Sequence, residues 1–398
     1  MQWASCLSLK TSIEDALHDC AAGIHSELGA SPDLIFLFLS PHFAKNYDEV
    51  PKMLRRWLQP AHLLGCSAGG VIASGREAED CPATGMLAAS LPKIDITPVR
   101  LQMDGLPDLD APPRAWSEAL GLPPGSHQGQ SPSFVLLADP FSFNPEDLTR
   151  GLDYAYPDGV KIGGLASGAG RPEGNVLYLD SQAHRSGLVG MALSGNILID
   201  PIVAQGCRPV GPPMKVTGCE ENRLLELDHK PALEVIAEML RGLPDEDREL
   251  ARTSLFVGLL TTPLRSETSR RDYLIRNIIG LDAERDVLAI GAPLRPGQGL
   301  QFHLRDKHAS REDLRSRLQL YSRARLATRP AAALLFSCLG RGARLYGMPD
   351  HDSALFIDRV GKVPLAGFFC NGEIGPVDRS TYLHGYTSCF GIVRPRKS

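Results

Sequence analysis

Three stretches of this chain repeat one pattern of apolar and polar positions. Leu34-Ile-Phe-Leu-Phe-Leu39 is an unbroken apolar run, as expected of a strand buried on both faces. A helical stretch follows near Glu49 to Leu58, where Pro51 suits a first turn. A second strand then ends in a loop of small residues, Leu63-Leu-Gly-Cys-Ser-Ala-Gly-Gly70. The order recurs with Phe134-Val-Leu-Leu-Ala138, a helix near Pro145 to Leu152, and Lys161-Ile-Gly-Gly-Leu-Ala-Ser-Gly168. It recurs again with Ala333-Leu-Leu-Phe-Ser337, a helix near Asp352 to Val360, and Pro364 to Gly375. Strand, crossover helix and strand within roughly thirty residues form a β-α-β unit, so each strand pair is expected to run parallel.

Shorter alternating segments follow each unit. Thr84 to Ser90 and Ile94 to Leu101 read as a hairpin, and Asn175 to Asp180, Gly187 to Leu193 and Asn196 to Gln205 read as a meander. Further strand-like runs lie between Ser254 and Asp306. The expected fold is therefore mixed α/β (α+β): two similar lobes of mixed parallel and antiparallel sheets covered by helices, built from repeated β-α-β-plus-hairpin units. Gly105 to Pro132 is rich in proline and reads as a surface connection. Helices at Pro231 to Leu240 and Asp245 to Arg252 separate the strand-rich halves. The division expected is an N-terminal strand and helix over 1–29, a first domain over 30–225 and a second over 226–393.

Composition narrows the class. The 398 residues are 43% hydrophobic and 22% charged, with a net charge of −4, which fits a packed globular protein and disfavours a nucleic-acid or anionic-membrane partner. The longest apolar run, Leu34 to Leu39, is far short of the twenty or so residues of a spanning helix, and the first thirty residues lack a signal-peptide core. Nine cysteines, an odd and scattered set without C-x-x-C, are expected to be reduced, in a cytoplasmic protein. From Arg305 to Arg329 basic residues predominate, which reads as the wet face of a helix. No metal-ligand spacing, Walker A loop or G-x-G-x-x-G after a strand is present, so neither a metal nor a cofactor is expected.

Several loops could carry chemistry. Gly65-Cys66-Ser67-Ala68-Gly69 matches the G-x-S-x-G nucleophile elbow, but the β-branched, glycine-broken segment after it is a poor helix start, and a tight loop at a strand end is the better reading. Cys338, before Gly340-Arg341-Gly342, could be a thiol nucleophile with His303 or His384 as base, against the plain reading of a buried strand residue. No catalytic residue is assigned. Asn371, Gly372, Glu373 and Gly375 form a glycine-flanked loop that presents a carboxylate after an apolar strand, where α/β sheets bind ligands. If its β-α-β unit is parallel, this loop and the loop of Arg341 and Gly342 emerge at one sheet edge, with Arg341 and Glu373 facing a common cleft. Arg276, Asn277, His303 and Arg305 put polar and cationic groups in apolar strands, where carboxylates such as Glu373 should pair with them. His384 and Tyr386 are expected on one face of the last strand. With Cys66, Ser67 and Gly69 these make up the candidate ligand-binding set.

Together these loops resemble a known family. Gly65-Cys-Ser-Ala-Gly69, Ile162-Gly-Gly-Leu-Ala-Ser-Gly168 and Gln205-Gly-Cys-Arg-Pro-Val-Gly211 look like segments of the FIST-N domain. Tyr273-Leu-Ile-Arg-Asn-Ile278, Phe302-His-Leu-Arg-Asp306, Phe336-Ser-Cys-Leu-Gly-Arg-Gly342 and Gly367-Phe-Phe-Cys-Asn-Gly-Glu-Ile-Gly-Pro376 look like FIST-C. The resemblance implies a sensory domain pair in signal transduction, thought to bind small ligands such as amino acids, and it implies no catalytic residues. It leaves output to a protein partner, since no kinase, cyclase or receiver segment accompanies the pair. The C-terminal part is also similar to a eukaryotic ubiquitin-ligase F-box protein, although no F-box segment is expected here.

Overall fold

A computed structural model describes residues 1–123, 131–261, 273–324 and 327–396. The three expected strand pairs are parallel and adjacent: Leu34–Leu39 with His62–Ser67, Ser133–Ala138 with Lys161–Leu165, and Ala332–Cys338 with Leu365–Cys370. Each pair sits inside its own six-stranded sheet, flanked by antiparallel strands. The mixed α/β class read from the sequence is the class observed.

The flanking strands differ from the expected hairpin and meander. Thr84–Ser90 and Ile94–Leu101 do not pair; the former lies between Gln2–Ser8 and Leu34–Leu39, the latter at the edge of the second sheet beside Leu188–Gly195. The meander strands divide among three sheets. Alternation fixes which face of a strand is buried but not which neighbour supplies its hydrogen bonds.

The observed rule is a cyclic exchange of hairpins. The hairpin after the first unit, Gly70–Ala73 with Arg76–Glu79, extends the third sheet beside Leu365–Cys370. The hairpin after the second unit, Leu177–Leu179 with Gln182–His184, extends the first sheet beside His62–Ser67. After the third unit, Glu373–Val377 joins the second sheet beside Lys161–Leu165. The next strand in every case returns to its own sheet, and the strand preceding each unit forms that sheet's outer edge. The chain thus contains one supersecondary unit three times, each completing another's sheet.

Side-chain alternation explains why these strands read as continuously apolar. Leu34, Phe36, Phe38, Val135, Leu137, Leu334 and Phe336 meet in one central core shared by the three sheets. Ile35, Leu37 and Leu39 face the helix Ile13–Leu28, whose start is capped by Ser12 and whose end is closed by left-handed Gly29. Phe134 and Leu136 face Trp116, Leu148 and Leu152, and Ala333 and Leu335 face Leu314, Leu318 and Phe356. Trp116 lies in the helix Pro113–Ala119, so the proline-rich connection carries a fully buried anchor.

The chain divides into two compact units: Met1–Ala204 with Leu314–Leu383 and Thr387–Ser398, and Gln205–Asp313 with His384–Tyr386. The first holds the three repeats. The second is a seven-stranded sheet, its strands paired antiparallel, with Val235 and Ala251 of two helices on a core of Val257, Leu259, Leu288, Leu300 and Phe302. In sequence it interrupts the third repeat just after that repeat's edge strand, Leu198–Gln205. Among the described residues no helix is long and apolar enough to cross a membrane.

Candidate functional site

The repeats can be aligned through one glycine. Gly65, Gly163 and Gly367 stand opposite Leu37, Leu136 and Leu335 in the parallel pairs. A Cβ at any of the three would fall within 3.0 Å of that neighbour's carbonyl oxygen, so the close approach requires glycine. On its other side each glycine faces an exchanged hairpin: Gly65 faces Tyr178, Gly163 faces Ile374 and Gly367 faces Ile72. One residue towards the loop, Leu177, Glu373 and Val71 therefore occupy equivalent places.

Glu373 is the polar exception, and it is fully buried. Its Oε2 accepts the Thr387 hydroxyl at 2.7 Å and the Thr387 N–H at 3.1 Å, while Oε1 has no hydrogen-bond partner among the described residues. Burial pushes its carboxyl up to about 8, against the opposing pull of Thr387 and of the Arg341 charge. At neutral pH the group is therefore mostly a neutral acid. With Oε2 engaged as an acceptor, the proton belongs on Oε1, which becomes a buried donor without an acceptor.

Arg341 does not stand free to meet a ligand's anion as the sequence suggested. It is buried, its Nε and Nη2 fork onto Asp352 at 2.9 and 3.0 Å, and its guanidinium lies 5.5 Å from the Tyr346 ring centroid. Burial opposes the charge on both partners, but their mutual attraction holds Asp352 well below and Arg341 well above the ordinary range. Asp352 also accepts from Ser337 and contacts His351 at 2.9 Å. Next to this pair, Glu77 receives the Ser353 N–H and hydroxyl; burial and the Asp352 charge push it up to about 8. Gly342 has a left-handed φ of 70°, beside the Glu79 carboxylate that accepts the Ala343 N–H.

The other loops of this unit meet at the same strand ends. Ser167 Oγ accepts the Gly69 N–H at 2.8 Å and donates to the Phe369 carbonyl, and the Ser167 N–H bonds the Ser67 carbonyl. Asn371 donates to the Ala166 carbonyl, and the Leu165 N–H reaches the Gly372 carbonyl. Ser67 Oγ donates to Asn175 Oδ1 and accepts the Val176 N–H, and its strand leads into a hairpin where a nucleophile elbow needs a helix. Cys66 is fully buried. Cys338, half-buried opposite Cys370, receives the Gly340 N–H at 3.4 Å, and Gly375 packs on Cys389 and Val203. Nine of the candidate residues thus lie in the repeat unit.

The remaining six belong to the second unit. Tyr386, at a positive φ of 64°, is in a turn and not in the last strand. Its hydroxyl donates to Asn277 Oδ1 at 2.6 Å, its ring lies 4.2 Å from Phe256, and the Arg305 guanidinium sits 5.4 Å from its centroid. His303 is buried with Nδ1 at 3.0 Å from the Gln301 carbonyl and its ring against Tyr273. Arg276 donates to the Ile275 carbonyl, and His384 is buried. Within its own unit Glu373 spends only Oε2, on Thr387.

Comparison with known proteins decides the family. The FIST N domain model matches residues 33–230 and the FIST C domain model residues 232–376. The chain belongs to the FIST family. FIST domains are generally regarded as sensory domains of signalling systems. An uncharacterized protein of Mycobacterium tuberculosis (strain ATCC 25618 / H37Rv) is 32% identical over 97% of this chain and 98% of its own length. One of Mycobacterium bovis is 32% identical over 92% of this chain and 91% of its own. An F-box/LRR-repeat protein of Arabidopsis thaliana is 29% identical over 28% of this chain and 24% of its own length. The FIST N and C matches meet between residues 230 and 232, inside the second compact unit.

Sequence reasoning missed Thr387, Asp352, Ser167 and Asn175. Aligning the exchanged hairpins on Tyr178, Ile374 and Ile72, which face Gly65, Gly163 and Gly367, carries a usable signal, since it sets Asn175 and Asn371 at one position and leaves Glu373 against Leu177 and Val71.

Proposed function

We propose that this FIST protein is a non-catalytic, small-ligand-binding sensory protein of the cytoplasm. Its ligand is an amino acid or a similarly small metabolite, and its output passes to a protein partner. The ligand contacts are the loop Asn371 to Glu373 and the neighbouring loops of Ser67 to Gly69 and Arg341. The observation that carries this reading is Oε1 of Glu373, a buried polar atom without a hydrogen-bond partner among the described residues, where two equivalent repeats have Leu177 and Val71. Leaving a buried polar group unsatisfied costs about 1–3 kcal/mol, so its retention at one of three equivalent positions points to a use in binding.

A thermal-shift screen against the twenty proteinogenic amino acids tests the reading. Binding to the native state stabilises it by RT ln(1 + L/Kd), where L is the ligand concentration, and so raises the melting temperature. At least one amino acid is expected to give an upward shift that grows with its concentration. A flat response across the panel contradicts the proposed ligand class.

A further inference from the structure

The N-terminal strand and the first helix bring together two cysteines that the ligand-binding reading does not use. Cys6 lies on the strand Gln2–Ser8, on the same side as Ala4 and Ser8, and that side faces the helix Ile13–Leu28. Cys20 lies on the helix, buried, with its sulfur 3.9 Å from the Cys6 carbonyl and 3.6 Å from the Thr84 carbonyl. The Cys6 sulfur reaches the helix surface: a Cβ on Gly23, one turn beyond Cys20, would lie 3.2 Å from it. Cys6 is half-buried, whereas Cys20 is fully buried.

We propose that Cys6 and Cys20 are a peroxide-responsive dithiol that closes to a reversible disulfide between the N-terminal strand and its covering helix. A hydroperoxide is the oxidant. The Cys6 thiolate attacks the outer peroxide oxygen, the O–O bond breaks, and the released alkoxide or hydroxide takes up a proton, leaving a sulfenic acid on Cys6. The Cys20 sulfur then attacks the Cys6 sulfur, the S–O bond breaks, and the oxygen leaves as water with the Cys20 proton. Two thiols and one hydroperoxide give one disulfide, one alcohol or water, and one water. An external dithiol reverses the step.

The division of roles follows from the surroundings. The side-chain contact from Cys20 favours thiolate on Cys6 and lowers its pKa, outweighing burial and the opposing charges of Asp19 and Glu27. The same contact, with burial, raises Cys20, which acts as the resolving thiol. Gly23 leaves space for the Cys6 sulfur beside the helix.

The test is peptide mapping of the full-length wild-type protein after hydrogen peroxide, with free thiols alkylated before digestion. A Cys6–Cys20 cross-linked peptide, lighter by about 2 Da than the paired thiol peptides and lost on dithiothreitol treatment, is expected. In Cys20→Ser the reaction should stop at a Cys6 sulfenic acid trapped by a 1,3-dione, and in Cys6→Ser Cys20 should stay alkylatable. Alkylation of both cysteines after peroxide, a link from Cys6 to another cysteine, or Cys6 sulfinic acid without the link in wild type would each overturn the proposal.

Discussion

Glu373 and Leu177 occupy the same position in two repeats of one unit, each on an exchanged hairpin beside the strand that holds the register glycine. The exchange of an apolar for an acidic side chain is matched at the start of the strand Thr387–Arg394, in the neighbouring sheet. At the place equivalent to Thr387, the Ala83 N–H bonds Ser40 Oγ and the Gly187 N–H bonds Ser142 Oγ, whereas the Thr387 N–H takes Glu373. One carboxyl therefore caps its neighbour through Oε2, while Oε1 has no hydrogen-bond partner among the described residues.

This arrangement ranks two substitutions. Glu373→Gln keeps an acceptor for Thr387 and resembles the protonated acid, so unfolding at pH 7 should change by less than about 1 kcal/mol. Glu373→Leu restores the side chain of Leu177 but strands the Thr387 N–H and hydroxyl, and should cost about 1–3 kcal/mol for each group left unpaired. Denaturant unfolding of the two variants checks the order; equal loss in both contradicts it.

The raised carboxyls set a pH dependence. Glu373 and Glu77 hold their protons up to about pH 8 when folded, whereas unfolded glutamates release them near the ordinary value of 4.5. Between those values the native state binds more protons than the unfolded one, so stability falls as pH rises and levels off above the folded values. The slope is at most about 1.4 kcal/mol per pH unit for each group. Glu373→Gln should flatten the fall in melting temperature between pH 5.5 and 8.5. An unchanged slope in that variant would show that Glu373 is ionised in the native state.

The Arg341–Asp352 pair acts in the opposite window. Asp352 is depressed by its partner, so its contribution is present above the ordinary carboxylate range and is lost only in strong acid. Arg341→Met leaves Asp352 buried with Ser337 and His351 but without its guanidinium, and should destabilise by about 3–5 kcal/mol. Arg341→Met with Asp352→Leu removes both charges and should recover most of that loss. A double-mutant cycle measures the coupling, and additive losses would show that the pair is not a unit.

The three register glycines should respond alike. Alanine at Gly65, Gly163 or Gly367 drives a Cβ into a backbone carbonyl of the adjacent strand. Each should cost at least about 1–3 kcal/mol, the usual penalty of forced overpacking. Melting curves of the three variants test the equivalence; a neutral substitution at any one breaks it.

Much of the fold was legible because its signals are local. Leu34 to Leu39, Phe134 to Ala138 and Ala333 to Ser337 are apolar on both faces because a common core covers one side and helices the other. The partners of Thr84–Ser90 and Ile94–Leu101 were not legible, because the exchange of hairpins is set by contacts far apart in sequence. The candidate loops at 65–69, 341–342 and 371–375 could be found from glycines at strand ends. The pairing of Arg341 could not, since Asp352 lies on a helix start whose direction only the folded unit fixes. Neither could the protonation of Glu373, which depends on complete burial.

The central claim is that Glu373 contacts a small ligand. The most direct measurement is the amino-acid thermal shift repeated on Glu373→Gln, with isothermal titration using the amino acid that gives the largest wild-type response. A ligand ammonium that draws the proton off Glu373 makes a charge-assisted contact worth about 1.5–3 kcal/mol, against about 1.4 kcal/mol to ionise at pH 7 a carboxyl pushed up to about 8, so affinity should fall several-fold, up to about tenfold, while the unliganded melting temperature at pH 7 stays near the wild-type value. Equal affinity in the two proteins, or a variant that melts early yet binds as tightly as wild type, would contradict the claim.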